Sequence, residues 1–343
     1  MDTGLLIEKS VLVVILFLIS LGIAAYSTYF ERKLAAWIQD RVGPDRAGPF
    51  GILQPIADGT KMFLKEDFIP KNADKWLFII GPGISMFTAL ITSAIIPWGT
   101  DLELFGRTID LQVTDFNIGI LYLFAVLSIS VYGIMIGGWA SNNKYSLYGA
   151  IRASSQMISY ELAMGISAIT IILMSGSLSL SDIVEKQHGM NWNIFYQPVA
   201  FLVFFVCSLA ETNRAPFDLP ECENELIGGY HTEYSSMKLG LFLFAEYIAM
   251  FISSAIMAIM FFGGYNFPGM DAFSGNTLAI LSVLAFFTKT FIMIFVFMWI
   301  RWTIPRFRFD QLMHLGWKVL IPIAIVNMLI TGLVIALNQG WFN

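Results

Sequence analysis

Eight long apolar stretches recur along this chain of 343 residues, and they decide what it can fold into. They run roughly over residues 5–30, 77–97, 116–136, 147–174, 194–209, 237–262, 277–300 and 317–337. A helix needs about 20 apolar residues to cross a hydrocarbon core. Backbone amides facing lipid must be satisfied within the segment, which leaves a helical bundle as the architecture. The pattern predicts an all-α integral membrane protein: one membrane domain over residues 1–343, with eight transmembrane helices. Charge agrees, since 13% of side chains are Asp, Glu, Lys or Arg, against about 25% in soluble domains. The first stretch reads as a span and not as a cleavable leader, because Asp2, Glu8 and Lys9 supply no positive opening region.

Lysine and arginine counts in short connections set orientation. Residues 31–75 hold eight, 139–152 two, 211–238 two and 301–318 four, or 16 of the 20 in the chain. Lys9, Arg107 and Lys186 stand on the other side, and Lys289 falls inside a span. Both termini are therefore expected to face outward, with the four basic connections cytoplasmic. Trp76, Trp98, Trp139, Trp192, Trp302, Trp317 and Trp341 fall near span ends, as an interfacial belt requires.

Several function classes drop out early. Twenty basic against 25 acidic residues leave no basic field for nucleic acid. Cys207, Cys222 and three scattered histidines include no CxxC pair and no closely spaced histidine pair, so no metal site is expected on this chain. Cys207 reads as a small buried hydrophobe and Cys222 as a loop thiol. No glycine-rich dinucleotide fingerprint follows a strand. Any electrons must come from elsewhere.

The remaining charges are placed unusually. Within 50–65, Gln54, Asp58, Lys61 and Lys65 recur at spacings of four, three and four, which puts them on one helical stripe. The segment is too short to span and reads as an amphipathic helix on the cytoplasmic side, either a surface anchor or a site lining. Glu161, Glu246 and Lys289 lie inside spans, where ionisable groups are costly and mark either a pathway or a buried pair that fixes packing. The loop over 211–236 carries Glu211, Asp218, Glu221, Glu223, Glu225 and Glu233 against Arg214 as its one early cation, interrupted by Pro216, Phe217, Leu219 and Pro220. That mixture suits a folded, partly buried loop. Carboxylates crowded at low dielectric titrate as a coupled set, some of them protonated near neutral pH.

Four long segments carry a resemblance: ERKLAAWIQDRVGPDRAGPFGILQPIADGTKMFLKED (31–67), GGWASNNKYSLYGAIRASSQMISYE (137–161), AETNRAPFDLPECENELIGGYHTEY (210–234) and IRWTIPRFRFDQLMHLGWK (300–318). Through them the chain resembles, over essentially its whole length, the H subunits of bacterial NADH-quinone oxidoreductase, respiratory complex I. The resemblance implies an eight-helix core subunit forming the mouth of a quinone chamber, with quinone as substrate. No catalytic residue is then complete on this chain alone. NADH, FMN and the iron–sulfur clusters belong to partner subunits of the peripheral arm, and small and antiporter-like membrane subunits are further partners. Arg32, Asp58, Lys61 and Lys65 become candidates for the chamber lining. Glu31, Glu161, Glu211, Arg214, Asp218, Glu221, Glu223, Glu225, Glu246 and Lys289 become candidates for proton coupling. Some relatives carry a further acid in the third span. Here Ser128 and Ser130 occupy that region, so the relay uses water or hydroxyls at that point or starts elsewhere.

Two rivals stand beside this. The related anchor subunit of a membrane-bound hydrogenase needs no quinone, and a genome neighbour encoding a hydrogenase large subunit would favour it. A stand-alone ion transporter also places charges in spans, but such proteins show repeated halves with matching broken helices, and no such repeat is visible.

Overall fold

A computed structural model of the chain describes residues 3–104, 107–219 and 223–338. Asp2, Pro220, Glu221, Cys222 and Trp341 lie outside the described residues, as does the side chain of Glu223. In chain order the helices are α1 (Thr3–Ile38), α2 (Gln54–Leu64), α3 (Lys75–Thr92), α4 (Gly119–Ala140), α5 (Lys144–Ser175), α6 (Leu180–Lys186), α7 (Asn193–Tyr196), α8 (Pro198–Glu211), α9 (Glu223–Leu226), α10 (Ser236–Phe261), α11 (Gly275–Thr303), α12 (Phe309–His314) and α13 (Ile321–Asn338). Among the described residues seven helical segments are long and apolar enough to cross a membrane, and α8 is a shorter apolar helix. The chain is a multi-pass, all-α membrane protein.

Several boundaries differ from the hydropathy reading, each for a local reason. α1 runs past Phe30 to Ile38 because Leu34, Ala35 and Ala36 stay buried and no glycine or proline intervenes before Gly43. Glu31 and Arg32 are thus helical and not the start of a loop. The fifth apolar stretch is two helices: Gln197 precedes Pro198 and leaves the helical region at φ −131°, ψ 56°, as the residue before a proline tends to. The last segment widens into a π-helix over Leu315–Leu320 just before Pro322. A proline inside a helix removes one N–H and crowds the carbonyl four residues back, and wider turns absorb both effects. A short hairpin of β1 (Leu102–Leu104) and β2 (Arg107–Ile109), absent from the sequence reading, caps one end.

Polar caps start and stop the spans. Asp74 accepts from the N–H groups of Trp76 and Leu77 at the head of α3, and Asn143 accepts from Tyr145 at the head of α5. α5 ends on Gly176 at φ 66°, a left-handed cap favourable to glycine. Where α3 crosses α4, a Cβ on Gly81 would meet the Gly137 backbone at 2.9 Å, so only glycine permits the approach.

The helices alternate in direction, and contacts between connections assemble each end. At the basic end Asp74 N–H reaches Ala140 O, Ser235 reaches Glu66 O, and Phe307 N–H reaches Pro216 O. At the opposite end Lys9 donates to Gln112 O, and Asn276 pairs with the Glu103 backbone. There burial raises the Asp110 carboxyl, with Lys9 opposing the shift, and burial pushes the Tyr265 phenol up to about 12. α10 is the central post: every residue from Met250 to Phe261 is buried. Trp76, Trp139, Trp302 and Trp317 are exposed, as a belt requires, whereas Trp98 is buried against Phe251, Phe286 and Phe287. Its side chain is core.

Candidate functional site: a buried charge cluster between two cavities

Three elements converge on Glu31 of α1. Arg214, from the loop after α8, donates to Oε2 at 2.8 Å, and Arg301, from the end of α11, reaches Oε1 at 2.5 Å. The Tyr247 hydroxyl of α10 donates to Oε2 at 2.9 Å. The guanidinium of Arg214 also lies over the Tyr247 ring, 4.0 Å from its centroid. The Glu31 and Arg214 side chains are only 6% and 4% exposed. Burial pulls the Arg214 guanidinium down, but Glu31 first and Tyr247 next hold it above its ordinary range. A lone buried charge is prohibitive and a hydrogen-bonded pair is tolerable, which explains the assembly. Arg214 Nε and Nη2 find no hydrogen-bond acceptor among the described residues, so the cluster retains unused donor capacity.

On one side of Tyr247 a cavity of about 160 Å³ opens between α1, α2 and α10. Arg32, Asp58, Met62, Phe244 and Tyr247 are among its lining. Arg32 pairs with Asp58 at 2.7 Å, and Gln54 donates to the other Asp58 oxygen at 2.9 Å. Of the four stripe residues, the structure brings Asp58 to this lining. Lys61 is exposed and stands 3.9 Å from Asp58, and Lys65 is exposed beyond the helix. Ile52, Leu53, Ile56, Phe63 and Leu64 are exposed too, which is the arrangement of a helix laid at a membrane surface with one polar edge turned inward.

On the other side of α10 a cavity of about 50 Å³, its wall mostly apolar, holds Glu211 and Glu246 together with Ser85, Thr88, Thr92 and Ser130. This is room for a few water molecules. Thr88, Thr92 and Ser130 donate to carbonyls of their own helices, which leaves their lone pairs available as acceptors. Tyr230 donates to Glu246 at 2.8 Å. Glu211 is buried, and its Oε2 has no hydrogen-bond partner among the described residues. Glu246 and Tyr247 are consecutive residues of α10, so one helix presents a carboxyl to this cavity and a phenol to the other. Near the Glu211 end, Ser128 of α4 donates to Glu161 of α5.

The remaining expected residues do not join this set. The loop acids are expected from the sequence to crowd one another, but the described ones are distributed among cations and amides from other elements. Asp218 pairs with Arg306 at 2.9 Å, Glu225 with Arg152 at 2.5 Å, and Glu233 accepts from Asn143. Lys289 donates to the backbone oxygens of Phe262, Gly264 and Asn266 at 2.7, 2.9 and 2.5 Å. It also sits 4.8 Å from the Trp192 ring centroid. Phe262 is 16 residues along from Glu246, roughly 24 Å at the helical rise. The lysine therefore ties down the opposite end of α10. Among the described residues no group of three or more His, Cys, Asp or Glu side chains gathers as a metal site would require.

Sequence reasoning misses four participants. Arg301 and Arg306 enter it only as topology signals, although both sit in the segment 300–318 that carries the resemblance. Tyr230 and Tyr247 bear no charge, and nothing in their spacing separates them from ordinary aromatic packing.

Fold and site together define a polytopic helical membrane protein in which a buried carboxylate–guanidinium cluster lies between two cavities, one lined by Arg32, Asp58 and Tyr247 and the other by Glu211 and Glu246. Residues 10–332 match the NADH dehydrogenase family, and the chain belongs to that family. Over 334 residues it is 64% identical to the first of the numbered H subunits of NADH-quinone oxidoreductase in Cytophaga hutchinsonii, covering 97% of this chain and 98% of the relative. Over 339 residues it is 61% identical to the H subunit of the same enzyme in Flavobacterium johnsoniae, covering 98% and 97%. The first of the numbered H subunits of Geobacter metallireducens is 49% identical over 326 residues, covering 95% and 96%.

Proposed function

We propose that this chain is a membrane subunit of NADH-quinone oxidoreductase that forms the mouth of the quinone chamber and couples quinone reduction to proton movement. Partner subunits of the peripheral arm carry NADH, FMN and iron–sulfur chemistry and reduce the headgroup; small and antiporter-like subunits continue the membrane arm. The protein sits in the bacterial inner membrane with both termini periplasmic, an orientation supported by its lysine and arginine distribution.

The observation that carries this reading is a chain of contacts from one cavity to Arg214, whose own loop runs on to the other. Tyr247 lines the cavity beside Arg32 and Asp58 and donates to Glu31. Glu31 holds Arg214. Arg214 follows Glu211, Thr212 and Asn213, all of which line the second cavity with Glu246. A quinone near Arg32 and Tyr247 that takes two electrons from the partner subunits' iron–sulfur chemistry carries negative charge until two protons follow to give the quinol. That charge competes with Glu31 for the arginines, and the loop carrying Arg214 transmits the change to Glu211. Protonation then redistributes over Glu211, Glu246 and Glu161 toward the membrane arm. Coupling of this kind is established by an energetic effect between sites and not by proximity.

A photoreactive quinone analogue on the purified complex tests the chamber. Labelled peptides from α1, α2 and α10 are expected. Labels confined to partner subunits would overturn the assignment.

A further inference from the structure

The geometry points to Ser128 as a positioning residue whose single hydroxyl proton reports and stabilises the protonation state of Glu161. This rests on the coupling role proposed for Glu161.

The Ser128 hydroxyl has two acceptors within reach and one proton to give. One is the Phe124 carbonyl of its own helix, at 2.9 Å, and the other is a Glu161 carboxyl oxygen across the α4–α5 contact. A serine hydroxyl donates once and accepts through its lone pairs. When Glu161 is ionised, the Ser128 proton points across to the carboxylate, and the bond is charge-assisted. When Glu161 takes up a proton, the new O–H donates to Ser128 Oγ, and the serine proton turns back to Phe124 O. One proton has been added to the pair and stays on Glu161; Ser128 keeps its own throughout. Both states leave the hydroxyl and carboxyl donors satisfied.

The placement gives this a direction. Ser130, two residues on, lines the cavity with Glu211 and Glu246, and Ser130 donates to Leu127 O. α4 thus presents one hydroxyl to the cavity and another to Glu161. A serine has no proton to titrate near neutral pH, so Ser128 carries no charge of its own and only sets how easily Glu161 exchanges one.

The test uses assembled complex carrying Ser128→Ala or Ser128→Thr, with Glu161→Gln as the reference. Infrared difference spectra assign the protonated Glu161 carbonyl band by its loss in E161Q. In S128A that band is expected to shift to higher frequency, with NADH-driven pumping slowed about ten- to hundredfold, the scale of one hydrogen bond to a charged group. S128T keeps the hydroxyl and is expected to restore both. An unmoved band in S128A overturns the proposal, and so does a moved band with wild-type pumping. If S128A does not assemble, Ser128→Cys, a weak donor of similar size, carries the same readouts. E161Q separates the two levels: wild-type pumping in E161Q removes the coupling role itself, whereas loss in E161Q with S128A unchanged removes only the serine.

Discussion

Glu31 and Arg214, 183 positions apart in the chain, meet at 2.8 Å with both side chains almost wholly out of solvent. Arg301 shares the same carboxylate. Replacing Glu31 with Gln leaves two guanidiniums facing a neutral amide, and an uncompensated buried charge of this kind costs about 3–5 kcal/mol. Thermal unfolding of the Glu31→Gln complex is expected at clearly lower temperature, with reduced yield of assembled enzyme. The double variant with Arg214→Gln is expected to lose less than the sum of the single variants, because the two sites share one interaction.

Tyr230 donates to Glu246 beside the smaller cavity. Tyr230→Phe keeps the ring that packs edge-on against Phe242 and removes only the hydroxyl. Hydrogen bonds to charged groups are worth about 1.5–3 kcal/mol, or roughly one to two decades in an equilibrium between protonation states. Pumping rate is expected to fall about tenfold while the complex assembles normally. An unchanged rate in proteoliposomes would remove Tyr230 from the path.

Ala249 also lines that cavity. Ala249→Leu adds three carbons to a space of about 50 Å³ and displaces any water held there. Overpacking costs about 1–3 kcal/mol, and the relay would lose the medium between Glu211 and Glu246. The expected outcome is an assembled complex with impaired proton transfer, read by quench of a pH-sensitive dye.

Lys289 supports the opposite expectation. Its ammonium satisfies three backbone carbonyls at the far end of α10, and losing a partner of buried acceptors costs about 1–3 kcal/mol. Lys289→Met is expected to lower the unfolding temperature yet leave protons moved per electron at the wild-type value. A changed ratio would return Lys289 to the coupling set.

How far the sequence discloses this arrangement depends on the kind of signal. Hydropathy is a property of single segments, and seven of the apolar segments appear among the described residues as helices long enough to cross a membrane, with ends displaced by several residues. Asp58 and Glu246 stand out because charge on an apolar or amphipathic background is rare. Which partner each charge takes is decided by packing between distant segments, and no spacing rule reaches from Glu31 to Arg301 or from Asp218 to Arg306. The clustering of loop acids misleads for the same reason: cations reach Asp218 and Glu225 from other helices and connections. Lys289 looks like a pathway residue because one dimension does not show that the end of α10 turns three carbonyls toward it.

The most direct measurement is proton translocation by assembled complex carrying Glu211→Gln, reconstituted in proteoliposomes and driven by NADH. Glu211 is buried, stands three residues before Arg214, and lines the cavity with Glu246. The amide keeps its size and removes its titration. The expected result is at least a tenfold fall in proton translocation, accompanied by slowed quinone reduction if turnover is tightly coupled. Wild-type rate and wild-type protons per electron in this variant would contradict the account.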